Sequence, residues 1–105
     1  MTDIRLRWSD VPYHQPIRIV ITDWIGLQKV KYGAKEYLLI PAMLEYGQKP
    51  IELCVPYVKF IKCLLKRQID EQILIREGKA VIQIMKTPHS DRYGMVIESV
   101  EEYMP

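Results

Sequence analysis

The sequence predicts an α+β fold: an antiparallel β-sheet of about six strands with one principal amphipathic helix. Apolar and polar residues alternate over several short segments, which is typical of half-buried strands. One segment instead repeats its apolar residues at helical spacing, about 100° per residue. A chain of 105 residues suits a single domain. Within that domain, we expect a lead-in segment over residues 1–16 and an acidic tail over residues 101–105.

The first strands are predicted between residues 17 and 53. Isoleucines at positions 17, 19 and 21 alternate with other residues, but the parity changes past Gly26. A bulge or tight turn between residues 23 and 28 would restore a common buried face, because glycine inside a strand often marks such a place. The opposite face would then carry Arg18, Thr22, Lys29 and Lys31. Further strands are predicted over residues 36–43 and 51–53.

The helix is predicted from Tyr57 to Ile69, with Pro56 in its first turn, where a missing N–H costs nothing. Its apolar half comprises Tyr57, Val58, Phe60, Ile61, Leu64, Leu65 and Ile69. Its polar arc comprises Lys59, Lys62, Cys63, Lys66, Arg67 and Asp70. After the helix, residues 72–76 and 79–85 are predicted to form a hairpin around Glu77 and Gly78, and residues 95–100 form a last strand.

Composition and charge limit the class of protein. Apolar residues make up 49% and charged residues 27% of the chain, a mixture typical of an ordered globular domain. Residues 1–69 carry 11 Lys/Arg against 6 Asp/Glu, whereas residues 70–105 carry 4 against 7. This asymmetry predicts one basic surface and one acidic surface.

Localisation and source are predicted from what the chain lacks. No apolar run approaches the roughly 20 residues of a membrane-spanning helix, and the first residues do not resemble a signal peptide. We therefore expect a cytoplasmic protein without a membrane partner. Cys54 and Cys63 are expected to be reduced, structural thiols. The absence of asparagine fits a hyperthermophilic archaeon, or a virus of one, as the source.

Few residues favour catalysis. His14, His89 and the three serines lie in no nucleophile motif, and the chain has no phosphate-binding loop and no His/Cys cluster at metal-ligand spacing. We therefore predict a protein that is not an enzyme and holds no metal or cofactor. A metal-dependent nuclease stays open as an alternative, since Asp70, Glu77 and Lys79 are similar to the acidic-x-Lys pattern of some nucleases.

The leading functional hypothesis is nucleic-acid binding. A protein that binds single strands with little sequence specificity needs cations for phosphates and aromatic faces for bases. The candidate binding residues are Arg18, Trp24, Lys29, Lys31, Lys35, Lys59, Lys62, Lys66 and Arg67, with Arg5, Arg7, Trp8, Tyr13, Tyr32 and Tyr37 as further cations and stackers. For each aromatic except Trp24, which is expected at the proposed bulge on the side of Arg18 and Thr22, the alternative is core packing. For the helix cations the alternative is a solvated face. The second functional hypothesis is a small regulatory protein–protein interaction module.

One resemblance to a known family covers residues 16–69. Strands followed by a helix, with Ile51-Glu52-Leu53 running into Tyr57, Phe60 and Leu64, resemble the positive-cofactor-four family and its Whirly relatives. The resemblance implies a curved antiparallel sheet that binds single-stranded DNA through Arg18, Lys29, Lys31 and Trp24, and a helix that forms a homodimer. A homodimer is also expected because a small sheet leaves edges to be covered. Unlike that family, this chain adds residues 72–100 and has four cations on the helix.

Overall fold

The computed structural model describes residues 4–67, 69–77, 80–88 and 94–104. Within these ranges, seven strands form one sheet: β1 (Ile4–Arg7), β2 (Ile17–Ile21), β3 (Gln28–Tyr32), β4 (Lys35–Leu44), β5 (Pro50–Pro56), β6 (Ala80–Lys86) and β7 (Met95–Glu102). Two helices, α1 (Tyr57–Leu65) and α2 (Ile69–Arg76), follow β5. The predicted α+β class with a mainly antiparallel sheet is confirmed. None of these helices is long and apolar enough to cross a membrane.

The strands lie in the order β1-β5-β4-β2-β6-β7, and β3 pairs with β4 beside β2. Every pair is antiparallel except β1 with β5. The tight turn predicted between β2 and β3 is confirmed, because both strands pair with the same edge of β4. In that turn the Gly26 N–H donates to the Asp23 carboxylate at 2.7 Å. A Cβ at Gly26 would lie 2.1 Å from that carboxylate, so a larger residue would displace the Asp23 side chain.

Alternation along β4 defines two sides of the sheet. Leu38 and Ile40 belong to the main core together with Phe60 of α1, and we call their side the helix side. Tyr37 and Leu39 alternate with them and therefore point the other way; we call this the open side. Directly paired residues on neighbouring strands share a side, which extends both definitions across the sheet.

The predicted strand over residues 72–76 is wrong, because these residues belong to α2. A short apolar run does not distinguish a strand from a buried helix. Ile75 is completely buried in the core, and Asp70 and Glu71 occupy the first turn, where carboxylates favour a helix. The Glu77 N–H donates to the carbonyl of Ile73 at 3.0 Å and so continues the helical turn. Gly78, at the predicted hairpin tip, lies outside the described residues.

The helix predicted from Tyr57 to Ile69 is shorter in the structure, since α1 ends at Leu65 and a second helix, α2, begins at Ile69. The buried face of α1 is narrower than predicted, because Val58 and Leu65 are 53% and 64% exposed. Cys63, expected on the polar arc, is buried and its thiol donates to the Met95 carbonyl at 3.5 Å. The buried stripe is rotated toward Cys63 because α1 packs against β7 as well as against β4 and β5. Both cysteines are free and buried, as predicted.

The two chain ends hold more regular structure than expected. Residues 4–7 of the expected lead-in form β1, whose Arg7 pairs with Cys54. At the other end, Glu101 and Glu102 of the expected tail extend β7. A four-residue edge strand shows too few alternations to be recognised from its pattern.

Candidate functional site

A cleft of about 610 Å³ lies beside β1, β5, β4 and β3. It is lined by Arg5, Arg7, Trp8, Ser9, Tyr13, Tyr32, Lys35, Tyr37, Cys54, Pro56 and Lys86. We call it the aromatic cleft. Its volume is within the roughly 300–1,000 Å³ of typical ligand sites.

Strand register brings most of these side chains together. Arg7 pairs with Cys54, Cys54 with Leu39, and Pro56 with Tyr37, so Arg7, Cys54, Pro56 and Tyr37 share the open side. Tyr32 and Lys35 are also paired, across the hairpin between β3 and β4. Gly33 starts that two-residue loop with φ +65°, a conformation that favours glycine. The remaining wall comes from the segment after β1 and from Lys86 at the end of β6.

The aromatic rings of the cleft form two groups. Tyr32 and Tyr37 lie 5.7 Å apart between ring centroids with a tilt of 56°. In the second group, Lys86 Nζ lies 5.1 Å from the Tyr13 ring centroid and 5.8 Å from that of Trp8. Tyr13 and Tyr32 are 54% and 52% exposed, whereas Trp8 is buried. Each group therefore offers one half-exposed tyrosine ring to a ligand.

The cations of the cleft differ in how their charges are balanced. Arg5 Nε donates to Glu52 at 2.7 Å, and its Nη1 donates to the Tyr32 hydroxyl at 3.2 Å. Glu52 raises the pKa of Arg5, first through that hydrogen bond and then through its charge. Among the described residues, no carboxylate lies within ion-pair distance of Arg7, Lys35 or Lys86. No carboxylate of the described residues lines the cleft, so the described walls are positively charged.

Cys54 is the one thiol on the cleft lining. Burial raises the pKa of Cys54, and Glu52 adds to this effect, while the charges of Arg5 and Arg7 oppose it. A thiol with a raised pKa is neutral near pH 7, and the neutral form is a poor nucleophile and metal ligand.

Arg18, the first predicted site residue, lies on the open side but outside the cleft. Its guanidinium donates to Glu45 at 2.8 Å, to Gln83 at 3.0 Å and to Glu101 at 3.0 Å. Hydrogen bonds to Glu101 and Glu45 raise the pKa of Arg18. Its charge is thus balanced within the protein.

Lys29 and Lys31 do not share a face with Arg18, contrary to the prediction. Lys29 is paired with Leu38 and so lies on the helix side. Its Nζ is 2.9 Å from Glu36 and 4.4 Å from the Tyr57 ring centroid, and the hydrogen bond to Glu36 raises its pKa. Lys31 is exposed on the same side. The turn between β2 and β3 keeps the odd-numbered residues of both strands on the helix side, so the prediction that it restores a common buried face for the apolar residues is wrong.

Trp24 was expected on the side of Arg18 but lies on the helix side. Its ring centroid is 6.2 Å from that of Phe60, and its side chain is half-buried. It lines a small cavity of about 110 Å³ with Ile61 and Leu65. Trp24 thus connects the turn between β2 and β3 to α1.

The helix cations do not form one surface. Lys62 and Lys66 are exposed and Lys59 is half-buried. Arg67 Nε forms an ion pair with Glu71 at 3.1 Å, at an angle that makes no hydrogen bond. Arg67 Nη2 donates to the backbone carbonyl of Glu98 in β7, so this arginine holds the end of α1 against the sheet.

The structure thus brings together residues that the sequence analysis named separately. Lys35, Arg5 and Arg7 and the aromatic candidates Trp8, Tyr13, Tyr32 and Tyr37 all line the aromatic cleft. Lys86 was missed, because it lies about 50 residues further along the chain than Lys35 and ends a strand that carries no other basic residue within the described range. No local signal connects it to the first two strands.

The positions of the described residues do not support the nuclease alternative. Asp70 and Glu77 stand at opposite ends of α2, roughly 10 Å apart along the axis at about 1.5 Å per residue. Lys79 lies outside the described residues. Within the described ranges, no three His, Cys, Asp or Glu side chains gather as metal ligands would.

No family model, no curated protein and no solved structure matches the chain. The resemblance to the positive-cofactor-four family therefore stays a prediction. The function has to be argued from the aromatic cleft itself.

Proposed function

We propose that the protein binds single-stranded nucleic acid in the aromatic cleft and does not convert it chemically. One observation carries the proposal. Three cations without a carboxylate partner among the described residues, Arg7, Lys35 and Lys86, line the same cleft as four aromatic residues, and no carboxylate lines it. Cations bind phosphates and aromatic faces stack on bases, which is the combination that unpaired strands require.

The exposed rings favour single strands over duplexes. Tyr13 and Tyr32 offer ring faces at the cleft, and a ring face stacks only on a base that is not already stacked inside a helix. A duplex presents phosphates and groove edges instead. We therefore expect duplex DNA to bind only through its charge.

The composition of the lining also favours low sequence specificity. Base edges are read mainly by Asn, Gln, Asp, Glu and by bidentate Arg. Among the described residues, the lining contains none of the first four types. Arg5 is held by Glu52 and Tyr32, whereas Arg7 and the two lysines are assigned to phosphates. Stacking and phosphate contacts tolerate any base, so affinities for different sequences should be similar.

The experiment is a titration of labelled single-stranded DNA, single-stranded RNA and duplex DNA, followed by fluorescence anisotropy. A variant with Arg7→Glu and Lys35→Glu should lose at least about tenfold in single-strand affinity at low salt, because phosphate contacts dominate binding there. The matched control carries Lys62→Glu and Lys66→Glu, two exposed positions in the last turn of α1 and just after it, with the same total charge change. It should change affinity by less than about threefold, through the screened long-range field alone.

Two results would contradict the proposal. If the wild-type protein binds none of these nucleic acids at low salt, the cleft has another ligand. If both double variants lose affinity equally, binding depends on overall charge and not on the cleft. Circular dichroism of each variant checks that it remains folded.

A regulatory protein-interaction module is the second candidate. Three exposed apolar residues belong to the cavity lining or follow a lining residue in sequence: Leu65 at 64%, Ile25 after Trp24 at 86%, and Ile73 after Gln72 at 45%. An apolar surface of this kind fits a partner protein that presents apolar side chains. Added salt separates the two candidates, since it weakens phosphate contacts steeply and apolar contacts little.

A further inference from the structure

The aromatic rings and cations that line the aromatic cleft indicate how many nucleotides it can hold, and this inference rests on the proposed function. We propose that the cleft binds a short unit of about two nucleotides with their flanking phosphates. We also propose that carboxylates on the open side prevent a longer nucleic-acid strand from binding across the rest of that side. The preferred ligands are then short oligonucleotides and short exposed stretches of single strand.

The number of bases follows from the aromatic groups. Tyr32 with Tyr37 forms one group on β3 and β4, and Tyr13 with Trp8 forms the other beside Lys86. Each group has one ring that is about half exposed, and one exposed ring stacks on one base. Among the residues that the structure describes, no other aromatic lines the cleft.

The number of phosphates follows from the unbalanced cations. Arg7, Lys35 and Lys86 are the lining cations that have no carboxylate partner among the described residues. Two nucleosides are flanked and joined by at most three phosphates, so the cations and the phosphates match in number. Lys86 Nζ already donates to the Trp8 carbonyl at 3.3 Å, which fixes its position and leaves two N–H donors.

The carboxylates stand where a longer strand would continue across the open side. Glu52 lies two residues before Cys54 on the same side of β5 and forms an ion pair with Arg5. Further across, Arg18 is held between Glu45 and Glu101, and Gln83 beside it donates to Glu98 at 3.1 Å. Arg18 and its three neighbouring carboxylates carry a net negative charge, which repels a phosphate backbone.

A length series of oligothymidylates tests this inference, with lengths from about four nucleotides, the shortest with three internucleotide phosphates, to about twelve. Longer strands offer more overlapping positions, so each association constant is divided by the number of positions. We expect the corrected constant to be the same for all lengths within about threefold. We also expect a slope of about −2 in the logarithm of affinity against the logarithm of salt concentration, at about −0.7 per phosphate for three phosphates.

The outcomes separate this inference from the proposed function. A corrected constant that keeps rising up to the longest strand, with a steepening salt slope, would overturn the short unit and leave nucleic-acid binding intact. Absence of binding at every length would overturn both. A constant value with the expected slope supports both.

A variant pair tests the carboxylate boundary. Glu45→Gln together with Glu101→Gln frees Arg18 of both partners and should let longer strands gain at least about fivefold in affinity, with a salt slope steeper by about 0.7. The shortest oligonucleotide should bind as before, which also reports that the fold is intact. Glu77→Gln, at an exposed position after α2, is the control and should change neither quantity. If the double variant keeps the wild-type length dependence, the boundary is not electrostatic and the inference fails.

Discussion

Arg7 and Arg18 carry the same charge on the same side of the sheet, yet their surroundings differ. Arg18 donates to two glutamates and a glutamine, whereas Arg7 has no carboxylate partner among the described residues. A cation that is already paired gains less from a phosphate, because the phosphate must compete with the existing partner. The presence or absence of a carboxylate partner among the described residues therefore distinguishes Arg7, Lys35 and Lys86 of the cleft from Arg18 and Lys29.

Tyr32 provides a residue-scale prediction about stacking. Tyr32→Ala should weaken single-strand binding by about 5- to 150-fold, because loss of base stacking costs about 1–3 kcal/mol per base. Tyr46→Ala is the matched control, since Tyr46 is 78% exposed and does not line the cleft. Anisotropy titration measures both variants. Equal affinities of the two variants would show that Tyr32 does not contact bases.

Cys54 provides a second residue-scale prediction, measured by thiol labelling in a Cys63→Ser variant. Its pKa is raised by burial, so labelling should be slow near pH 7 and speed up as the pH rises toward that raised pKa. The neutral Cys54 thiol also stabilises the fold at pH values below the pKa that Cys54 has in the unfolded chain. This contribution is lost as the pH rises through the pKa of Cys54 in the folded protein. Bound oligonucleotide should slow labelling further. Fast labelling near pH 7 that is insensitive to oligonucleotide would contradict the placement of Cys54.

At the scale of elements, α1 shows how much a sequence pattern can establish. The apolar residues of this segment predicted a helix, but adjacent apolar positions such as Leu64 and Leu65 look equivalent in a helical pattern. The structure buries Leu64 and leaves Leu65 largely exposed, because α1 packs against β7, β4 and β5 at once. The buried stripe depends on these tertiary contacts, which the sequence of the helix does not contain.

The two leucines give an element-scale prediction with an internal control. Leu64→Ala should lower the free energy of unfolding by about 2–5 kcal/mol, as expected for a buried large-to-small change. Leu65→Ala should change it by less than about 0.5 kcal/mol, as is usual for exposed positions. Chemical denaturation measures both values. A large loss for Leu65→Ala with a small loss for Leu64→Ala would show that the helix is rotated.

The end of α1 also covers the outer edge of β7. Cys63 and Arg67 donate to the carbonyls of Met95 and Glu98, and an uncovered strand edge is a template for pairing with another chain. Arg67→Ala should therefore increase self-association through β7, measured by sedimentation velocity over a concentration series. Lys66→Ala, an exposed neighbour, should sediment like the wild type. Identical sedimentation of the two variants would show that Arg67 does not protect this edge.

The homodimer stays a prediction, and the same sedimentation series measures it in the wild-type protein. A mass of 12.4 kDa would indicate a monomer, and twice that value would indicate the dimer. The outer edge of β1, whose other edge pairs with β5, is one candidate surface for that dimer.

At the scale of the whole molecule, the two charge halves of the sequence do not form two separate surfaces. Arg18 from the basic half pairs with Glu101 from the acidic half, and Lys86 from the acidic half completes the basic wall of the cleft. Sequence position predicted the excess of charge but not its pairing, because the pairing depends on strand order. β2 lies next to β6, a neighbour that no local pattern indicates.

Much of the fold was predictable because alternation and turn glycines are local signals. The turn between β2 and β3 and the hairpin at Gly33 both follow from such signals. The cleft was predictable only in its composition, since its residues come from β1, β3, β4, β5 and β6 and from the segment that contains Trp8 and Tyr13. Long-range pairing assembles them, and that pairing is specified by the whole core.

Photo-crosslinking tests the central claim most directly. Single-stranded DNA that contains iodouracil is irradiated in complex with the protein, and the crosslinked residues are mapped by mass spectrometry. Because a stacked base lies against its aromatic partner, the account predicts crosslinks at Tyr13 and Tyr32. Crosslinks confined to α1 or to Trp24 would contradict it and would place nucleic acid on the helix side of the sheet.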